Sequence, residues 1–264
     1  MTILGKDFRV PNLSIAIVAH NEEDNIGACL DSVAWAEDIV VVDDLSTDRT
    51  RDICLAKGAR VFQEKWKGFA GQRNSAIEKT RNIWVIALDA DERITPELAL
   101  EIRDRLAGDG PETGYSIPYR NYFRGSWIRY GGWYPDYHLR LFRKDKGRFE
   151  EREIHESPVL DGPVGRLNNP LKHLAYRDVS HFTRKMDSYS TLMARQYYKE
   201  GKRAGAWTGL FHAVYTFFSM FVLRRGFLDG NNGLILAYLY AAYTFLKYSK
   251  LMEMNEAGER ARPE

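Results

Sequence analysis

Residues Ile83-Trp84-Val85-Ile86-Ala87-Leu88-Asp89-Ala90-Asp91-Glu92 decide how this 264-residue chain is read. An unbroken apolar run ends in carboxylates, the pattern of a strand covered on both faces whose tip carries chemistry. The same rhythm repeats upstream. Leu13–Ala19 (LSIAIVA) precedes Glu23–Val33, where Ile26, Leu30 and Val33 recur at helical spacing. The short β-branched stretch Ile39–Val42 precedes a helix capped by Ser46-Thr47-Asp48 and stopped at Gly58. Arg60–Gln63 reads as a third strand and Gln72–Lys79 as a helix, and Thr95-Pro96 opens another through about Leu106 with Thr95 as its cap. This alternation predicts a parallel sheet with helices on both faces. In such sheets ligands bind beyond the carboxyl ends of the strands, where strand order reverses. Ala19–Glu23, Asp43-Asp44 and Asp89–Glu92 occupy those positions, and all three are rich in carboxylates or amides.

Composition narrows the class. The chain is 44% hydrophobic and 28% charged with 21 Gly and 9 Pro, which excludes a disordered protein, a collagen and a disulfide mini-protein. Cys29 and Cys54 have no C-x-x-C spacing, so a reducing compartment is expected and a structural zinc site is not. Leu13–Ala19 runs into His20-Asn21-Glu22-Glu23-Asp24, where a secretory signal needs a small-residue cleavage site, and it reads as a buried strand instead. The net charge of +2 hides an asymmetry. From Lys172 onward 14 Lys/Arg face 8 Asp/Glu, a net +6, which leaves −4 for residues 1–171.

Residues 111–170 lose the alternation and are dense in Gly, Pro and aromatics interleaved with Arg. Aromatics beside Arg stack on nucleic acid or on sugar rings. The acidic front opposes a polyanion, so no nucleic-acid partner is expected, and a sugar-facing surface or plain core remains. The rear is helical from about Val179. Ala206–Leu223 carries no charge over 18 residues and Gly233–Leu246 none over 14, the first at the threshold for spanning a bilayer and the second below it. Thr208, His212, Thr216 and Ser219 give the first run one polar stripe, and Arg224-Arg225 and Lys247/Lys250 close the two runs. Helices lying in the membrane interface fit these lengths; a buried helical hairpin and a true span are the alternatives.

Asp89 and Asp91 leave the strand end in similar directions and can share a hard divalent ion, Mn²⁺ or Mg²⁺, that neutralises a departing diphosphate. D-x-D alone also occurs as a simple helix cap. Its weight comes from standing third in a series with Asn21-Glu22 and Asp43-Asp44. In that combination the chain resembles family 2 glycosyltransferases of the GT-A fold. The matching residues are Ala19-His20-Asn21-Glu22-Glu23, Val42-Asp43-Asp44-Leu45-Ser46-Thr47-Asp48, Gly71-Gln72-Arg73-Asn74 and Leu88-Asp89-Ala90-Asp91-Glu92, spread over about residues 12–106. Two positions depart from the family pattern, His20 for its frequent Tyr and Leu45 for its usual Gly, both on the base-binding side.

The resemblance implies an α/β, Rossmann-like GT-A domain and a UDP-sugar donor. Residues 1–110 would form its nucleotide-sugar half, 111–178 its acceptor and catalytic half, and 179–264 a helical membrane-associating region. Asp43 would accept from the uracil imide, and Asn21 and Glu22 would line the nucleoside pocket. Ala19, Asp44 and Ala90 belong to the same nucleotide-sugar site. Arg73, at a helix start, would bring positive charge near base or phosphate. Asp91 would ligate the metal, with Asp89 on ribose or metal.

Gly131-Gly132-Trp133-Tyr134-Pro135-Asp136-Tyr137-His138-Leu139-Arg140-Leu141-Phe142, Ile154-His155-Glu156 and Arg225-Gly226-Phe227-Leu228-Asp229-Gly230 are similar to the subgroup that adds glucose to the inner core of bacterial lipopolysaccharide. That resemblance implies an inverting hexosyltransferase, acting on a lipid-linked saccharide at the cytoplasmic face of the inner membrane. Inversion needs one carboxylate as base. Asp136 is the candidate and Glu156 the second choice, while His155 can help hold the metal or diphosphate. A polyprenyl-phosphate glycosyltransferase would share the front half, but the Trp133–Phe142 stretch speaks against it. A non-catalytic membrane adaptor has no need of three acid-tipped strands.

Overall fold

The computed structural model describes residues 8–108, 110–150 and 157–260. The chain divides into two compact units. One holds the chain up to Arg120 together with Asp136–His173, and the other holds Asn121–Pro135 together with the chain from Leu174 onward. The order of elements is β1 (Val10–Ala19), α1 (Ile26–Ser32), β2 (Ala36–Asp43), α2 (Thr50–Ala56), β3 (Arg60–Gln63), α3 (Gly68–Glu78), β4 (Trp84–Asp89), β5 (Glu92–Arg93) and α4 (Pro96–Leu106). Then come β6 (Gly114–Phe123), β7 (Ser126–Trp127), β8 (Asp136–Arg143), β9 (Gly147–Phe149), β10 (Pro158–Leu160), β11 (Val164–Arg166) and β12 (Leu171–Tyr176). Three long helices follow, α5 (Val179–Lys199), α6 (Ala206–Phe218) and α7 (Gly230–Arg260).

The fold is mixed α/β. In the first unit β3, β2, β1 and β4 lie side by side and parallel, as strand–helix alternation predicts. The chain steps outward from β1 to β2 and β3, then returns to the other side of β1 as β4, so strand order reverses between β1 and β4. Both faces of these strands are covered. Ile15, Ile17, Ile86 and Leu88 enter one apolar cluster and the alternating residues Ala16, Val85 and Ala87 enter the other. Thr95 caps α4 by accepting from the Leu98 amide, with Pro96 in the first turn, as read from the sequence. Beyond β4 the sheet continues antiparallel through β8 and β6, and β12 pairs antiparallel with β5. Cys29 and Cys54 are buried and free.

The second unit is built on α5, α6 and α7. Its core joins Phe123, Ile128 and Trp133 to Phe182, Leu236 and Leu239, so part of the aromatic-rich stretch is core. α5 starts at Asp178, whose side chain accepts from the His181 amide. α6 continues through one π turn (Ser219–Leu223), and a 3-10 turn (Gly226–Asp229) leads into α7. α6 and α7 pack antiparallel, with His212 stacked on Tyr248 and Thr216 Oγ1 3.3 Å from Thr244 Oγ1.

One expectation changes here. Within Gly233–Leu246 the side chains of Leu236, Ala237 and Leu239 are buried, while those of Leu234, Tyr238 and Phe245 are exposed. Lys250 does not face outward. Its ammonium donates to Asp187 Oδ1 at 2.7 Å, Thr191 Oγ1 at 2.7 Å and Ser190 Oγ at 2.9 Å, tying α7 to α5. Among the described residues no helix is long and apolar enough to cross a membrane.

Candidate active site

Parallel pairing brings the three acid-bearing strand tips together. Ala19 on β1 is opposite Asp43 on β2, and Val18 on β1 is opposite Asp89 on β4. The site the sequence selects by strand ends therefore lies where the sheet reverses its order.

The tips of β1 and β2 are tied to each other. Asp43 is fully buried; its carboxylate accepts from the Ser46 hydroxyl and, at 3.1 Å, from Gln63 Nε2. Asn21 takes a left-handed conformation (φ 53°), and its Oδ1 accepts from the Thr47 amide at 2.8 Å. The Glu22 amide donates to Thr50 Oγ1 at 2.7 Å, and Glu22 Oε2 accepts from Asn25 Nδ2 at 2.7 Å. His20 Nδ1 lies 2.7 Å from the Asp44 carbonyl and the Asp44 amide donates to the Ala19 carbonyl, so the histidine substituted for Tyr reinforces this junction. Leu45 has φ 50°, the left-handed region in which glycine has no steric penalty.

The tip of β4 is held by cations. Arg73 is not at a helix start: α3 begins at Gly68, so Arg73 lies within the helix and donates to both Asp89 oxygens at 2.9 and 3.0 Å. Arg140 on β8 donates to Asp89 Oδ2 at 3.0 Å and to Glu92 Oε1 at 3.2 Å. Burial pushes the Asp89 carboxyl up, but Arg140 and Arg73 outweigh it and hold the group well below the usual carboxylate range. Glu92 is fully buried. Its Oε2 accepts from the Asp89 amide, its Oε1 accepts from the Tyr119 hydroxyl at 2.6 Å, and burial moves its carboxyl upward. Ala90 is buried between the two aspartates.

Tyr119 connects the two halves of the candidate chemistry. Its ring lies 4.4 Å from the ring of His138 and 5.5 Å from that of His173. His138 Nε2 is 2.9 Å from Asp136 Oδ2, and His173 Nε2 is 3.6 Å from Asp91 Oδ2. Two Asp–His pairs thus flank one buried tyrosine. Asp136 opens β8, in register with Tyr119, and its side chain is 44% exposed. Desolvation opposes protonation of His173, yet Asp91, Glu92 and Asp89 raise its affinity for a proton.

Glu156 and His155 lie outside the described residues. From the sequence alone His173 and Tyr119 have no assigned role, and Glu92 and Arg140 enter only as members of longer motifs. Among the described residues no three His, Cys, Asp or Glu side chains are gathered as a ready metal site. The carboxylate of Asp91 and the imidazole of His173 are chemically suited to Mn²⁺ or Mg²⁺.

The family model described as Glycosyl transferase family 2 matches residues 14–156. The chain belongs to glycosyl transferase family 2. A relative from Rhizobium meliloti, the lipopolysaccharide core biosynthesis glycosyltransferase LpsC, is 30% identical over 95% of this chain and 95% of its own. An uncharacterised glycosyltransferase of Rickettsia typhi is 28% identical over 92% of this chain and 87% of its own. Among solved structures, S. aureus TarS in complex with UDP-GlcNAc covers 93% of this chain and 92% of its own at 17% identity and a TM-score of 0.48.

This family 2 glycosyltransferase carries two further motifs in its second unit that are far apart in sequence and joined in space. Asp229 accepts from the amides of Arg129 (3.2 Å) and Tyr130 (2.9 Å), and the Gly131 amide donates to the Arg224 carbonyl. Gly132 has φ 88°, and a Cβ there would meet the Arg224 guanidinium. The Gly131-Gly132 loop is therefore anchored on the Arg224–Asp229 segment.

Proposed function

We propose that the chain transfers a hexose, with inversion, from a UDP-sugar to a lipopolysaccharide core or related lipid-linked glycan, with Asp136 as the general base. The observation that carries this reading is the pair of Asp–His couples on either side of Tyr119, which sets an accessible carboxylate across one ring from the D-x-D tip. The relationship to a lipopolysaccharide core glycosyltransferase over nearly the whole chain supports the acceptor class. In the reaction the acceptor oxygen bonds to the anomeric carbon, the bond from that carbon to the diphosphate oxygen breaks, and UDP leaves with the electron pair. The acceptor's proton passes to the Asp136 carboxylate, and His138 holds that carboxylate in place through the 2.9 Å contact.

Asp91 and His173 are the side chains that would hold Mn²⁺ or Mg²⁺, with Asp89 beside them. A divalent ion there supplies charge neutralisation for the departing diphosphate. Asp43, buried and bonded to Ser46 and Gln63, serves the base end by fixing the loop that meets the nucleoside. Arg73 and Arg140 keep the Asp89 carboxylate ionised and oriented.

Turnover of UDP-glucose with a lipopolysaccharide-core acceptor is the test. Asp136→Asn should lower kcat by a factor on the order of 10²–10⁴, the worth of a positioned base, at nearly unchanged donor affinity. Asp91→Ala should remove metal-dependent UDP binding while the fold persists. An Asp136→Asn enzyme that turns over at the parent rate overturns the base assignment, and one that loses only donor affinity transfers the role to Glu156.

A further inference from the structure

α6 is built inside out. Its exposed positions, Trp207, Leu210, Phe211, Val214, Tyr215 and Phe218, follow helical spacing and form one apolar stripe. Trp207 is 71% and Phe211 70% exposed. Its polar side chains take the other side: Thr216 meets Thr244 on α7, His212 stacks on Tyr248 while staying exposed, and Thr208 Oγ1 accepts from the Gly205 amide at the helix start; Ser219, just past the helix, is buried. A helix lying on a protein in water does the reverse. The apolar surface continues past the helix end, where Val222, Leu223, Phe227 and Leu228 are also exposed. Contiguous apolar surface of this extent marks an interaction site.

We infer that this outward face of α6 and the turn after it docks into one leaflet of an anionic bilayer. Charge selects the occupant. No charged residue interrupts Ala206–Leu223, and cations stand at both ends. Arg224 and Arg225 are exposed at one end. At the other, the exposed Lys199, Lys202 and Arg203 line a cavity of about 390 Å³ with Tyr198, Lys202 also pairing with Glu200 at 2.7 Å. The 18 uncharged residues span roughly 27 Å at 1.5 Å per residue, so a helix lying flat would set both cationic ends at headgroup level. The Lys247 ammonium sits over the rings of Tyr197 and Tyr248. A second copy of the chain offering the same face would set cations at both ends of one α6 near those of the other, which favours lipid over self-association. The surface stands independently of the donor chemistry.

The test uses the full chain and flotation with phosphatidylcholine vesicles, with and without phosphatidylglycerol. The parent should float with the anionic vesicles, less with the neutral ones, and incompletely release in high salt because screening touches only the charge contribution. The triple variant Trp207→Ser, Phe211→Ser, Tyr215→Ser should lose binding by about tenfold or more, with its thermal unfolding and UDP-sugar hydrolysis unchanged, since these side chains touch neither core nor active site. Equal flotation of parent and variant overturns the proposal. So does a parent that ignores vesicles, and if it is a dimer that the triple variant splits, a second copy is the true occupant.

Discussion

Trp84–Asp89 and Ala206–Phe218 are both apolar runs, and the protein puts them to opposite use. On β4 every residue from Val85 to Leu88 is buried, and the charged groups Asp89, Glu92 and Arg140 are drawn in beside them. On α6 the largest apolar groups face outward and the hydroxyls and the imidazole turn toward α7 or the helix start. The difference teaches that hydropathy marks an element as apolar without saying which side is covered. Which side is covered follows from where the polar atoms find partners, because a buried polar group without one costs far more than an exposed apolar one. In the sheet, Glu92 gathers an amide, a hydroxyl and a guanidinium, so charge can be buried.

The largest expected effect strikes at that buried charge. Arg140→Met leaves Asp89 with Arg73 alone and Glu92 with no cation among its hydrogen-bond partners named above. Breaking a buried pair by removing one partner costs about 3–5 kcal/mol, so the variant should show a correspondingly lower urea midpoint and lose transfer activity. Adding Glu92→Gln should return part of that stability, since the two changes act on one network. Strictly additive losses would mean that Arg140 acts through packing on Tyr119 instead.

A second pair of variants applies the same operation to the two apolar runs. Ile86→Ala removes a fully buried side chain between covered faces and should cost about 2–5 kcal/mol. Phe211→Ala removes a larger side chain from an exposed position and should change stability in water by no more than about 0.5 kcal/mol. A large loss for Phe211→Ala in urea unfolding without lipid would place that ring in a core and erase the contrast.

The elements that the sequence disclosed are those with local signals. Thr95-Pro96 sets the start of α4, and the acid-ended run Ile83–Glu92 sets β4 and the reversal of strand order beside it. The positions of Asp43, Asp89 and Asp91 at strand ends were legible because Asp43 closes β2 and Asp89 closes β4, with Asp91 two residues on. Arg140, Tyr119 and His173 were not, because their contacts with Glu92 and Asp91 reach across 27 to 82 positions and exist only once β8, β6 and β12 take their places. One signal was available: Arg140 interrupts Leu139-Arg140-Leu141-Phe142, and a charge inside an apolar strand needs a buried counter-charge. Arg73 was misplaced because α3 begins four residues before the expected Gln72, at Gly68, whose φ of 80° lets the loop turn into the helix.

The smallest effect concerns backbone rather than side chains, at the tip of β2. Leu45 follows the buried Asp43, holds φ 50°, and its side chain is largely solvent-facing at 46% exposure, so little packing is lost when it is removed. A non-glycine residue in the left-handed region costs about 1–2 kcal/mol, whereas the extra freedom of glycine in the unfolded chain takes back about 0.4–1 kcal/mol. Leu45→Gly should therefore stabilise the protein by roughly 0.5–1 kcal/mol, seen as a higher urea midpoint at constant slope. The turn's hydrogen bonds, Ser46 to Asp43 and the Asp44 amide to Ala19, involve no Leu45 side-chain atom and should survive. α6 supplies the control, since Val214 is exposed within a regular helix and Val214→Gly should destabilise by roughly 0.3–0.5 kcal/mol, the difference between the two residues in helix propensity. If both changes destabilise alike, the Leu45 side chain and not its backbone holds the β2 tip, and the tip belongs with the covered surfaces of the sheet rather than with its strained turns.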